Sequence, residues 1–136
     1  MLGLDHYCGS LSKLDSYIKG GYKYTKEGKE VTVQPMHTKI LNGEFCNASW
    51  VDLLFSSNVH ILGLSLDFSE LDLWWVLNKR ARLPCKNKIY YYTNENDDEK
   101  NELLKSFGVK VVYENIVNND FQTYYKNVLK KVKNSN

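Results

Sequence analysis

A chain of 136 residues is near the common size of one domain and can bury roughly two-thirds of its unfolded surface. With 43% hydrophobic and 25% charged residues its composition is globular, and 13% aromatic residues, led by ten tyrosines and three tryptophans, argue against disorder. A net charge of +2 gives no global drive toward nucleic acid or an anionic membrane, and neither is expected as a partner.

The first predicted element is a helix over about residues 5–18, where Leu4, Tyr7, Leu11, Leu14 and Ile18 share one face. Gly20-Gly21 ends it. The alternating runs Tyr22-Lys23-Tyr24 and Val31-Thr32-Val33, set around Lys26-Glu27-Gly28-Lys29, predict a β-hairpin that Pro35 closes. Residues 36–46 read as a loop. Trp50, Leu53 and Leu54 then mark a short helix starting near Ser49.

From Val59 onward strands and helices alternate. Val59-His60-Ile61-Leu62-Gly63 is a nearly continuous apolar run, as in a strand buried on both faces. After a loop through Phe68, Ser69 offers an N-cap, with Asp72 in a capping-box-like position, for a helix running to about Arg82 before Pro84. The strand Lys88–Thr93 follows, then a helix carrying Lys100, Leu103, Leu104 and Phe107, with Gly108 as its left-handed C-terminal cap. Val109–Tyr113 is the third strand. Asn119 or Asp120 caps a last helix, in which Phe121, Tyr124, Tyr125, Val128, Leu129 and Val132 follow helical spacing.

This order predicts an α/β fold: a β-α-β-α-β-α run over residues 59–136, half of a Rossmann-like doubly wound parallel sheet. The helices and hairpin of residues 1–58 are expected to pack on it within a single domain. The helix over 69–82 has Leu71, Leu73, Trp74, Trp75, Val76 and Leu77 nearly all round its axis, so it needs cover on more than its sheet face. Either the N-terminal helices of the same chain or a second subunit could supply that cover. The second option makes Trp74 and Trp75 interface anchors in a homo-oligomer.

Cys8, Cys46 and Cys85 are widely spaced with no C-x-x-C pair, so a structural zinc site is not expected and reduced thiols fit a cytoplasmic protein. The first residues lack the pattern of a secretion signal, the stretch from Val59 to Leu77 is interrupted by acids, and the Asn47-Ala48-Ser49 sequon reads as chance. The basic run Lys126, Lys130, Lys131 and Lys133 reads as a solvated helix face, with phosphate binding as the alternative. His60 reads as a strand histidine satisfied by a neighbour. Neither His6 nor His37 has a partner at metal-ligand or triad spacing, and no glycine-rich phosphate loop or nucleophile elbow occurs.

In open α/β sheets, ligands bind beyond the carboxyl ends of the strands. Of those ends, Gly63-Leu64-Ser65-Leu66-Asp67 carries the most chemistry. Its glycine permits close backbone approach, its serine hydroxyl can meet phosphate or ribose, and a capped helix start follows. Plain loop structure, with Asp67 and Asp72 as exposed or capping charges, is the other reading.

The stretch from Val59 to Asp72 resembles a motif of the sirtuin-like NAD-binding family, in which an apolar strand, then G-x-S-L, then a helix lie in the second half of a Rossmann-type domain. The bacterial sirtuin-like group, often found in anti-phage defence proteins, continues with an acidic residue and a helix much as here. Leu2-Gly3-Leu4-Asp5-His6-Tyr7 is also similar to the stretch such proteins place after their catalytic region. The resemblance covers most of the chain and is strongest over about residues 59–114. It implies that Gly63, Ser65 and Leu66, with the adjoining Asp67, line an NAD or ADP-ribose crevice, and that Asn94 stands where such domains use an asparagine near the adenosine ribose. The family's glycine-rich first turn, Asn/Asp pair and catalytic histidine belong to an N-terminal half without counterpart here, and its four-cysteine zinc module is absent too. The chain is therefore expected to be a catalytically incomplete nucleotide-binding half-domain, either truncated or served by an upstream half-domain, and inactive alone. An interaction or oligomerisation module that binds no nucleotide is the second expectation, and a complete small enzyme the third.

Overall fold

The computed structural model describes residues 3–45 and 49–135, with backbone alone at residues 3–8 and 10. Cys46, Asn47, Ala48 and the side chains of Leu4, His6, Tyr7 and Cys8 lie outside the described residues. The elements in order are α1 (Gly3–Lys19), β1 (Lys23–Lys26), β2 (Lys29–Thr32), α2 (Met36–Asn42), α3 (Trp50–Ser56), β3 (Val59–Ile61), α4 (Leu71–Ala81), β4 (Ile89–Thr93), α5 (Asp98–Ser106), β5 (Val109–Tyr113) and α6 (Phe121–Ser135). The fold is mixed α/β, with a three-stranded parallel sheet and a separate antiparallel hairpin. It divides into two compact units: residues up to Ser56 with Phe68–Cys85, and Ser57–Asp67 with Lys86 onward.

In the first unit, Leu14 and Ile18 of α1, Met36 of α2, Val51 and Phe55 of α3 and Val76 of α4 form one buried cluster. The N-terminal helices thus supply the cover that the apolar α4 needs. Arg80 adds a polar tie, donating from Nε to the Leu54 carbonyl at 2.9 Å, and burial pushes its pKa down. The α4 cap departs from expectation. Glu70, not Ser69, is the N-cap residue and makes no side-chain cap bond, while Asp72 accepts from the adjacent Leu73 N–H at 3.0 Å. No capping box forms because the helix starts at Leu71, one turn position later than the Ser69 reading requires.

The hairpin follows its sequence pattern, with Tyr24 opposite Val31 and Lys23 opposite Thr32. Glu27 and Gly28 both have positive φ (53° and 75°), the turn geometry that matches strand twist in two-residue hairpin loops. Its base is tied by Gly21 N–H to the Val33 carbonyl at 2.7 Å and Val33 N–H to the Tyr22 carbonyl at 2.9 Å.

Residues 36–42, read as loop, are instead the helix α2. Pro35 precedes its first turn, and Gly43, in the left-handed region at φ 72°, caps its end by donating to the Lys39 carbonyl. Proline at the start and glycine past the end are helix punctuation. Seven residues are too few for periodicity to register.

In the second unit β4 is the central strand, paired in parallel with β3 on one side and β5 on the other. All five β4 residues are buried, whereas the three residues of β3 are only partly so. The apolar run at Val59 forms a short edge strand, and its residues are only partly buried where its pattern suggested burial on both faces; of the three strands only β4 has a neighbour on each side. Asp97 caps α5, accepting from Lys100 N–H at 3.0 Å, and Asp120 caps α6, accepting from Thr123 N–H at 3.0 Å. Gly108, at φ 76°, follows the end of α5 as expected. Tyr124 and Val128 of α6 pack on Tyr90 and Tyr92 of β4. At the end of β5, Glu114 accepts from Asn127 and pairs with Lys131, and the Lys131 ammonium holds its carboxyl below the usual range. No described helix is long and apolar enough to cross a membrane.

Gly20 and Gly21 both have positive φ, but only Gly20 is also hemmed in: a Cβ there would lie 2.4 Å from the Pro35 nitrogen. Gly20→Ala is expected to destabilise the protein by roughly 3 kcal/mol, from left-handed strain plus the backbone clash. Gly21→Ala, facing open space, should cost about 1 kcal/mol. Denaturant unfolding of the two variants checks the difference.

Candidate functional site

Two cavities carry chemistry, one in each unit. The first lies at the carboxyl end of the parallel sheet, where Gly63, Ser65, Thr93, Asn94, Phe121 and Tyr125 are among its walls, and holds about 180 Å³. Three of the residues singled out from the sequence, Gly63, Ser65 and Asn94, thus meet in one place.

The loop bearing Ser65 is held firmly. The Ser65 carbonyl accepts from the Tyr91 hydroxyl at 3.1 Å and from Lys100 Nζ at 3.1 Å, while its own hydroxyl donates to Asp67 at 3.2 Å. Gly63, at φ 67°, passes so close beneath Tyr125 that a Cβ would sit 3.1 Å from the phenol oxygen. Leu66 does not line the cavity. Its side chain is buried and its φ is 52°, a costly conformation for a non-glycine residue, so it anchors the loop from below. Asp67 is exposed and acts on Ser65 rather than on the cavity wall.

The electrostatics of this cavity favour uncharged polar partners. Lys100 is buried and has Glu95 at 3.4 Å and Asp97 at 3.8 Å in addition to the Ser65 carbonyl, so its charge is already matched. The N-termini of α5 and α6, which elsewhere cradle phosphate, are occupied by the chain's own carboxylates, Asp97 and Asp120. Asp120 is held below the usual carboxyl range mainly by the Thr123 hydroxyl. What remains for a ligand is hydroxyl, amide and aromatic surface, with the Glu95 carboxylate, paired to Lys100, at the wall. His60, on β3, shares a hydrogen bond with the Tyr92 hydroxyl through Nδ1 at 3.1 Å and stacks on Tyr90 at 4.9 Å, so a tyrosine satisfies that one nitrogen. Its Nε2 is buried without a protein hydrogen-bond partner among the described residues.

The second cavity lies in the first unit, holds about 770 Å³, and was not foreseen in the sequence. Tyr22, Tyr24, Val31 and Val33 of the hairpin form one wall, and Tyr17 of α1 and Lys39 of α2 another. Lys39 is 5% exposed and donates to Asp52 of α3, itself 0% exposed, at 3.0 Å. Its ammonium also lies 3.4 Å from the Tyr17 hydroxyl and 4.4 Å from that ring's centre. Burial pulls the Lys39 pKa down, but the Asp52 carboxylate and Tyr17 oxygen outweigh it, and the group ends above its ordinary value. Burial raises Tyr17, with Asp52 adding to the shift. The pair links residues 13 apart in sequence, so no local spacing announces it.

Trp74 and Trp75, the anchors expected of an interface, sit in the first unit. Trp74 is 8% exposed and stacks on Phe68 at 5.4 Å, and Trp75 is partly buried against the core with Lys79 Nζ 4.8 Å from its ring centre. Cys85 is half-buried and burial raises its thiol pKa, which leaves it little thiolate at neutral pH. Among the described residues no cluster of His, Cys, Asp and Glu could hold a metal ion.

Comparison with protein-family models, curated proteins and solved structures yields no match to this chain.

Losing one member of a buried ion pair strands the other. Lys39→Met should therefore cost about 3–5 kcal/mol, while Lys39→Met with Asp52→Leu should recover most of that loss. Urea unfolding of the single and double variants measures both.

Proposed function

We propose that the second unit is a nucleotide-binding half-domain of sirtuin-like, half-Rossmann type, taking the ribose and ring portion of NAD or ADP-ribose at the strand ends. One observation carries this reading: Gly63, Ser65 and Asn94, on two different βα loops, line a single cavity beyond the carboxyl ends of parallel strands. At about 180 Å³ that cavity is smaller than the roughly 300–1,000 Å³ of whole-ligand sites, so it suits a ribose or one ring and not a complete dinucleotide. A lining whose one charged side chain among the described residues is the Glu95 carboxylate, and helix starts capped by the chain's own carboxylates, agree with that division, which leaves the phosphates outside. On this reading Ser65 and Asn94 bind the sugar hydroxyls, Tyr125 flanks the ring, and Lys100 positions the loop. On this reading the family's catalytic residues belong to the half without counterpart here, so the chain alone is expected to turn over no NAD and to remove no acyl group.

A thermal-shift series with NAD, ADP-ribose and adenosine tests it. A ligand at a hundred times its Kd should stabilise the chain by about 2.7 kcal/mol, and the exposed Ser65→Trp should abolish that shift without unfolding the protein. If none of the three shifts the wild type, the reading fails. NAD turnover by the purified chain would overturn the inactivity.

The second reading, an interaction or self-association module, is favoured by a different surface from the one expected. Phe121, Tyr125 and Leu129, spaced by four, are exposed along α6.

A further inference from the structure

We propose that the 770 Å³ cavity of the first unit is a second binding site, for an uncharged planar heteroaromatic molecule that carries a carbonyl or ring-nitrogen acceptor. It is lined by other residues than the strand-end cavity and stands whether or not that cavity takes a nucleotide.

Size and lining give the first part of the class. The cavity falls within the range of small-molecule sites, and its larger walls are aromatic and branched aliphatic. The hairpin register puts Tyr22, Tyr24, Val31 and Val33 on one face, since Tyr24 is opposite Val31 and strand side chains alternate. That face is kept open to solvent at cost: Tyr22 and Tyr24 remain 39% and 43% exposed on a ribbon of only two strands. A flat ring laid against it gains tyrosine stacking and removes that apolar area from water.

Lys39 gives the second part. It is an ammonium with three N–H donors, nine-tenths buried, in the wall of the cavity. Asp52 takes one donor and the Tyr17 oxygen a second, and among the described residues the third has no acceptor. A buried donor left unmatched costs free energy that a ligand acceptor recovers. The acceptor is neutral, because Asp52 already balances the lysine charge and Glu44 lies at the cavity too. A ligand carboxylate would bring surplus negative charge into a partly desolvated site.

Three bicyclic probes separate these elements: quinolin-2-one, neutral with a carbonyl acceptor; indole, neutral without one; and quinoline-2-carboxylate, anionic. Titrations followed by NMR of the Tyr22 and Tyr24 rings give each affinity. Quinolin-2-one should bind with a Kd on the order of 1 mM, about tenfold tighter than indole and tighter than the carboxylate. Tyr24→Ser, on the exposed ribbon, should weaken all three. The Lys39→Met, Asp52→Leu double variant should erase the preference of quinolin-2-one over indole. The proposal is overturned if no probe shifts the two tyrosine rings, if indole or the carboxylate binds as well as quinolin-2-one, or if the preference survives in the double variant. Should that variant not fold, Tyr24→Ser decides: unchanged affinities reject the site.

Discussion

Much of the first unit depends on the requirement that Lys39 meet Asp52 away from water. Each buried charge costs several kcal/mol unless its partner is held in good geometry, so α2 and α3 have little freedom to shift against one another. Pro35 opens α2, its backbone lies against Gly20, and Gly20 leads into the hairpin. The ion pair, the tight glycine and the tyrosine-faced ribbon thus form one connected arrangement around a cavity. The apolar cluster of Leu14, Met36, Phe55 and Val76 packs the helices that carry the pair against α1 and α4.

The second unit rests on a different device. Its central strand, β4, is buried at every position, yet its side chains are mostly tyrosine and threonine, whose hydroxyls need partners. Tyr91 finds the Ser65 carbonyl and Tyr92 finds His60. The hydrogen-bonding demand of the core strand is thereby spent on fixing the loop and edge strand beside the strand-end cavity. Lys100 adds a third constraint on the same carbonyl, and the positive φ of Leu66 shows how closely that loop is specified.

Residues from Val59 onward were legible because strands and helices there alternate with clear punctuation: Gly63, the Asn94–Asp97 loop, Gly108 and Asp120 each mark a real boundary. The strand-end position of Gly63, Ser65 and Asn94 followed from that order. Other features were hidden for physical reasons. The helix α2 is too short to show a period, and its signal lay in Pro35 and Gly43 alone. The partial burial of β3 was obscured because an apolar run looks the same at an edge and at a centre. Leu66 was read as cavity lining on resemblance, but a leucine beside a glycine turn gains more by burial in the core. Nothing in the local sequence around Lys39 or Asp52 signals their pairing, since it depends on how two short helices pack.

The most direct test of this account is the titration of the Lys39 ammonium, followed by proton–nitrogen NMR of its Nζ group. Its folded pKa lies above the ordinary 10.5, so its contribution to stability is complete below that pH and is lost only as pH rises through the folded value. The account predicts a slowly exchanging ammonium signal coupled to Asp52 that persists when exposed lysines have deprotonated. Titration of Lys39 below the exposed lysines would mean that desolvation outweighs the carboxylate, and would contradict the ion pair on which the first unit is built.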